Sequence, residues 1–148
     1  MRIFIKMHAS LLSLIGIALS VLSVFFCFLN LGATSLFGEE ASLFALIFGL
    51  NGERVLPGLV FAFLFLLLSI VSDFVSFLFS KQGSKKDVRF SSIFALSGIA
   101  LGFLSSVLFF FSPFYTSLFS LSAGPFVVGG LILLSLPFQI PNLIFSRI

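Results

Sequence analysis

Charge is what this sequence has least of. Asp, Glu, Lys and Arg make up 9 % of its 148 residues, against ~25 % in a soluble domain. With 59 % hydrophobic residues and a mean hydropathy of +1.29, that scarcity excludes a soluble globular domain. It also excludes a disordered chain, which needs low hydrophobicity and high charge. The single cysteine, Cys27, rules out an internal disulfide, a CxxC redox pair or a thiolate cluster. The single histidine, His8, rules out a multi-His metal site. Trp is absent and Tyr occurs once, while Phe occurs 24 times. The usual Trp/Tyr interfacial belts are therefore missing, and Phe supplies the aromatic bulk.

Catalytic patterns are missing too. Nucleophilic catalysis needs a base with an orienting partner, and no Asp-His-Ser constellation is present. Zinc needs three or four N, S or O ligands. No Walker loop, GxGxxG or HExxH occurs. Enzyme readings are left with few groups to use, and the expectation is no catalytic site, no metal and no cofactor. The net charge of +3 comes from cations too few and too scattered for nucleic acid. It reads better as a topology signal.

What the chain does have is long apolar runs. They cover about residues 9–29, 57–80, 90–111 and 124–145. Each has the ~20 residues that a helix needs to cross a bilayer core. In lipid every backbone polar group needs an internal partner, so each run is expected to be helical. A β-barrel would need short strands of alternating polarity, and stretches such as LVFAFLFLLLSIV (59–71) do not alternate. The first run follows Arg2 and Lys6, as a signal peptide would. However, it is longer than a signal's apolar region, and no A-x-A cleavage site follows it. It reads as an anchor.

The connections sort by charge. Arg2 and Lys6 precede the first run, Lys81, Lys85, Lys86 and Arg89 lie in the 81–89 loop, and Arg147 follows the fourth run. Seven of the eight cations fall on one side if the chain crosses four times. The positive-inside rule then places both termini and the 81–89 loop in the cytoplasm. A three- or five-span layout would split the cations. The basic cluster sits where anionic headgroups of the inner leaflet would attract it, or where a protein partner could dock. The 30–56 loop and the 112–123 loop fall outside. Within the former, Glu39 and Glu40 suit the first turn of a short helix over 39–49, with Gly49 and Asn51-Gly52 at its end. A hairpin or a re-entrant segment would also fit. Glu53 and Arg54 read as solvated charges at the outer mouth, and Tyr115 as an interfacial ring.

Small residues repeat inside the runs. In the first, Ser13, Gly16, Ser20, Ser23, Cys27 and Asn30 line one helical face. In the third, Ser91, Ala95, Gly98, Gly102 and Ser105 do the same, and in the second, Ser69, Asp73, Ser76 and Ser80. Helices associate in a membrane by close packing and hydrogen bonds, and small residues permit both. These faces are expected to point inward, with Phe and Leu meeting lipid. Cys27 then reads as a buried thiol. In the fourth run Pro137 and Pro141 are expected to kink or end the helix. Gln139 and Asn142 then serve either packing or a polar cavity.

Asp73 is the only acid inside a run. It lies eight residues before Lys81, or ~12 Å along a helix. A carboxylate at that depth costs ~3 kcal/mol or more, a cost that protonation reduces. With Ser69 and Ser76 it forms a candidate polar site. That site is either a proton or cation coupling site or interhelical glue. His8 reads as a headgroup-level side chain.

This layout, with its basic start, its LFGEE (36–40) and IFGLNGE (47–53) outer loop and its basic 81–89 loop, resembles the small, uncharacterised four-span membrane proteins of bacteria. The resemblance implies four helices in a plasma membrane and no activity. Claudins share the layout only, because the disulfide cysteines and Trp motif of their outer loop have no counterpart here. The small multidrug transporters have an essential Glu in their first helix, and residues 9–30 hold none. The expected molecule is an all-α integral membrane four-helix bundle with a short outer interfacial helix. Its expected role is packing against lipids, itself or another membrane protein. The alternative is a small oligomeric transporter or channel component using Asp73.

Overall fold

The computed structural model describes residues 2–29, 33–34, 40–49, 57–82, 84–112, 120–121 and 124–145. The expected features at Asn30, Glu39, Asn51-Gly52, Glu53, Arg54, Tyr115 and Arg147 lie outside them. The chain forms α1 (Arg2–Phe28), β1 (Ala33–Thr34), β2 (Glu40–Ala41), α2 (Leu43–Phe48), α3 (Pro57–Gln82), α4 (Lys85–Phe110), β3 (Ser120–Leu121) and α5 (Gly124–Phe145). Four of these helices are long and apolar enough to cross a membrane. The fold is all-α, a four-helix bundle with one short helix at its end.

The helices form a ring in the order α1, α5, α4, α3. Helix α4 packs between α3 and α5, and α1 lies mainly on α5 and closes the ring against α3. Outward positions are apolar: Phe25, Leu134, Val71 and Leu96 are all more than half exposed. In water such a surface would drive aggregation, whereas hydrocarbon solvates it. The chain is membrane-embedded on this ground together with helix length.

Several expected boundaries move. The first helix begins at Arg2, ahead of residue 9. The expected 81–89 loop is mostly helix, since α3 runs to Gln82 and α4 starts at Lys85. The cause is local. Ser84 is the N-cap, its Oγ accepting from the Asp87 backbone N–H at 3.2 Å while its hydroxyl donates to the Asp87 carboxylate. That cap satisfies the Asp87 backbone donor of the first turn and holds the α3–α4 connection to a tight hairpin.

The outer helix is shorter than 39–49. Glu40 lies in β2, and Ser42 caps α2, accepting from Ala45 N–H at 3.1 Å. Gly49 ends it in the left-handed conformation (φ 66°), which glycine adopts without strain. Leu43, Ala45, Leu46 and Ile47 are buried, so α2 closes one end of the bundle as an apolar plug. Beside it β1 pairs antiparallel with both β2 and β3, tying the two loops at this end together. Phe28, Phe44, Phe48 and Phe63 continue as a chain of ring contacts from α1 through α2 to α3.

Pro137 and Pro141 do not end the last helix, which continues unbroken to Phe145. Within lipid, ending the helix would free more backbone groups than one missing N–H does, so spanning helices tolerate proline. Pro137 also lies on the exposed face of α5, leaving the inward face undisturbed.

Candidate functional site

The interior has two unlike halves. Toward α2 it is apolar, built from residues such as Leu43, Leu46, Leu59, Leu66, Phe109 and Val128. Toward the α3–α4 hairpin it is a seam of small polar side chains. The seam exists because the small residues of each helix recur every three or four positions and so share one face.

Its hydrogen bonds cross between helices. Next to the hairpin, Ser76 and Ser91 lock α3 to α4. Ser76 Oγ donates to Ser91 O at 2.8 Å, and Ser91 Oγ donates to Ser76 O at 2.9 Å. Asn142 Nδ2 donates to Ser76 Oγ at 3.0 Å, bringing α5 into the same node. Deeper in the bundle, Ser13 Oγ donates to Gln139 Oε1 at 2.9 Å and Gln139 Nε2 returns to Ser13 O at 3.2 Å, joining α1 to α5. Ser20 donates to Ser135 at 3.0 Å, and Ser69 Oγ to Gly98 O at 2.8 Å. Closer to α2, Ser105 donates to Ala62 O at 2.7 Å and Ser106 to Gly129 O at 3.0 Å.

Asp73 lies in this seam between Ser69 and Ser76, 1 % exposed. Its carboxyl is pressed against α4 at Gly98, where an added Cβ would overlap Oδ1 and lie 2.9 Å from Cγ. Only glycine leaves room for the acid. Among the described residues, Oδ1 is the one buried side-chain oxygen or nitrogen without a hydrogen-bond partner. A neutral polar group stranded in this way costs ~1–3 kcal/mol, whereas a stranded charge costs several. The geometry therefore accommodates the neutral acid at far lower cost than the carboxylate.

The structure brings Asp73, Ser69 and Ser76 to one buried face of α3 and sets Gly98 and Gly102 of α4 against it. Gly102 approaches Ser69 and Leu136. Ser13, Gly16, Ser20, Ser23 and Cys27 form the buried face of α1. Cys27 Sγ lies 3.5 Å from Ser23 O, within the apolar half. Lys81, Lys85, Lys86 and Arg89 are exposed around the hairpin, apart from the seam, with Lys81 Nζ 4.4 Å from the Phe77 ring centre. His8 is exposed near the same end.

On α5 the sequence reading singled out Gln139 and Asn142 but missed the stripe they belong to. Val128, Ile132, Ser135, Gln139 and Asn142 recur at the same three- and four-residue steps and are all buried. The signal was present, but two prolines in the run masked it. No group of three or more His, Cys, Asp or Glu side chains that could hold a metal occurs among the described residues. Compared with family models, curated proteins and solved structures, the chain matches none.

Proposed function

We propose that the protein is a non-enzymatic packing and interaction component of a bacterial plasma membrane. In this reading both termini and the α3–α4 hairpin face the cytoplasm, and the bundle serves itself, lipids or a membrane protein partner. One observation carries it: the interior polar side chains spend their hydrogen bonds on one another and on neighbouring helix backbones, as in the Ser13–Gln139 and Ser76–Ser91 pairs. Such pairs are glue, worth about 0.6–2 kcal/mol each in a membrane. At the hairpin, Lys81, Lys85, Lys86 and Arg89 supply the cytoplasmic positive charge and attract anionic headgroups, by about 1 kcal/mol per residue.

The partnerless Asp73 oxygen favours one second reading, a small transporter or channel component coupled to protons or cations. A bundle of four helices has little room for a pore, so this reading calls for a homo-oligomer. Flux measurements separate the two. Under the packing reading, vesicles containing the protein hold proton, sodium and potassium gradients as tightly as empty vesicles. A leak abolished by Asp73→Asn would overturn that reading in favour of transport.

A further inference from the structure

Asp73 lies eight residues from Lys81 at the hairpin end of α3 and sixteen from Pro57 at the other end. Above Asp73, on the α2 side, the Ser69, Ser105 and Ser106 hydroxyls are each bonded to a backbone carbonyl, and Leu66 and Ile132 lead into the apolar core that α2 caps. Below it, toward the hairpin, Ser76, Ser91 and Asn142 form a hydrogen-bonded node. The Ser76 and Ser91 hydroxyls of that node lie 3.2 Å apart, and either can be the donor. The shorter way from the carboxyl to water therefore runs past this polar node to the hairpin, and the longer one through the apolar core.

Among the described residues, nothing around Asp73 offers a charge to pair with it. The buried faces at this depth carry Ala95 and Gly98 on α4, Leu136 and Gln139 on α5, and Ser13 and Gly16 on α1. Helix α5 has no titratable side chain between residues 124 and 144. The ionisable groups on the other elements are remote along their helices. Lys81 lies eight residues farther along α3, Asp87 and Arg89 lie at the start of α4, and His8 lies near the start of α1, all toward the hairpin. Cys27 lies at the opposite end, in the apolar half. On α5, Gln139 is already bonded to Ser13 through both its amide atoms and Asn142 donates to Ser76. The Gly98 carbonyl is taken by Ser69.

We propose that Asp73, seated against Gly98, is a proton-binding site that exchanges only with the hairpin side of the membrane, and whose proton holds α3 and α4 together. With the proton on, the neutral acid fits the notch that Gly98 leaves. When the proton departs toward the hairpin past the Ser76–Ser91 node, the carboxylate meets no cation among the described residues, and the flanking Ser69 and Ser76 hydroxyls already donate to Gly98 O and Ser91 O, so it is relieved by separation of α3 from α4 at Gly98. The site rests on the membrane-spanning bundle and requires no net transport. A packing protein would use it to sense pH on one side.

The test uses the full chain in proteoliposomes and dicyclohexylcarbodiimide, an apolar reagent that reaches acids within the bilayer. The acid's proton passes to a carbodiimide nitrogen, the carboxylate oxygen attacks its central carbon, and the adduct keeps the reagent's full mass. Orientation is assigned with Ser84→Cys and an impermeant thiol reagent. The expected result is mass-tagging at Asp73 that falls when pH is raised on the Ser84 side and is unmoved when pH is raised on the other. Tagging that follows the other side, both sides or neither, or that never appears at Asp73, overturns the proposal. Stability provides a second readout, followed as release of the buried Cys27 thiol during detergent unfolding. Folded chains that hold a proton which unfolded chains release lose stability as pH rises, by at most about tenfold in the folded ratio per pH unit. Wild type is expected to show this loss relative to Asp73→Asn at each pH, a comparison in which thiol chemistry cancels. Parallel curves for the two proteins would also overturn it. A chain that does not enter vesicles at all would instead sink the membrane reading on which the site depends.

Discussion

Ser13 and Gln139 lie 126 residues apart in sequence and meet through two hydrogen bonds, Ser13 Oγ to Gln139 Oε1 at 2.9 Å and Gln139 Nε2 to Ser13 O at 3.2 Å. This contact fastens the first helix to the last. Replacing Gln139 with Leu keeps the bulk and removes both bonds. It is expected to cost about 0.6–2 kcal/mol of bundle stability. A double-mutant cycle with Ser13→Ala, read by unfolding in detergent, checks this. Fully additive losses would show that the two side chains do not act as a pair.

Gly16 and Gly130 separate close approach from mere smallness. A Cβ on Gly16 would lie 2.8 Å from Gln139 Nε2 and 3.0 Å from Ser135 O, while one on Gly130 meets nothing within 4 Å. Gly16→Ala is expected to destabilise by about 1–3 kcal/mol through overpacking. Gly130→Ala is expected to be neutral, or up to about 1 kcal/mol stabilising through helix propensity. The same unfolding assay ranks them, and a larger loss at Gly130 would contradict the α1–α5 packing.

Cys27 is 0 % exposed. A maleimide is expected to leave it unmodified in the folded protein and to label it fully after denaturation. Mass spectrometry counts the adducts. Rapid labelling of the native protein would mean that the apolar half, under α2, is open.

Val71, at 59 % exposure, lies near the middle of α3 on its outward face. A lysine there faces hydrocarbon and is expected to cost about 2.5–3.5 kcal/mol of insertion, lowering the membrane-inserted fraction, whereas Val71→Leu leaves it unchanged. An insertion assay using glycosylation sites on the flanking loops measures both. Equal insertion would mean that this face does not meet lipid.

Orientation is checked at the hairpin. A reporter fused after Gln82, or Ser84→Cys treated with an impermeant thiol reagent, is expected to report the cytoplasmic side. An external signal would invert the proposed topology.

Much of the bundle was legible from residues alone. The Ser13–Cys27, Ser69–Ser76 and Ser91–Ser105 stripes point inward as their spacing requires, because a helix converts a three- and four-residue repeat into a face whatever its neighbours are. Asp73 stood out as the lone acid in an apolar run. Local chemistry that competes with the apolar pattern was harder to read. The Ser84–Asp87 cap turned an apparent loop into two helices separated by a tight connection. Ser42, in place of Glu39 and Glu40, set the start of α2.

Hydropathy by itself determined that the chain lives in a membrane as helices, since a backbone in hydrocarbon has to satisfy its own hydrogen bonds. Which helices touch was decided only in three dimensions. Nothing local pairs Ser13 with Gln139, sets Gly98 against Asp73 or lays α2 over the bundle's end. Those contacts depend on how four similar apolar surfaces interlock, and their small residues could have fitted several partners equally well.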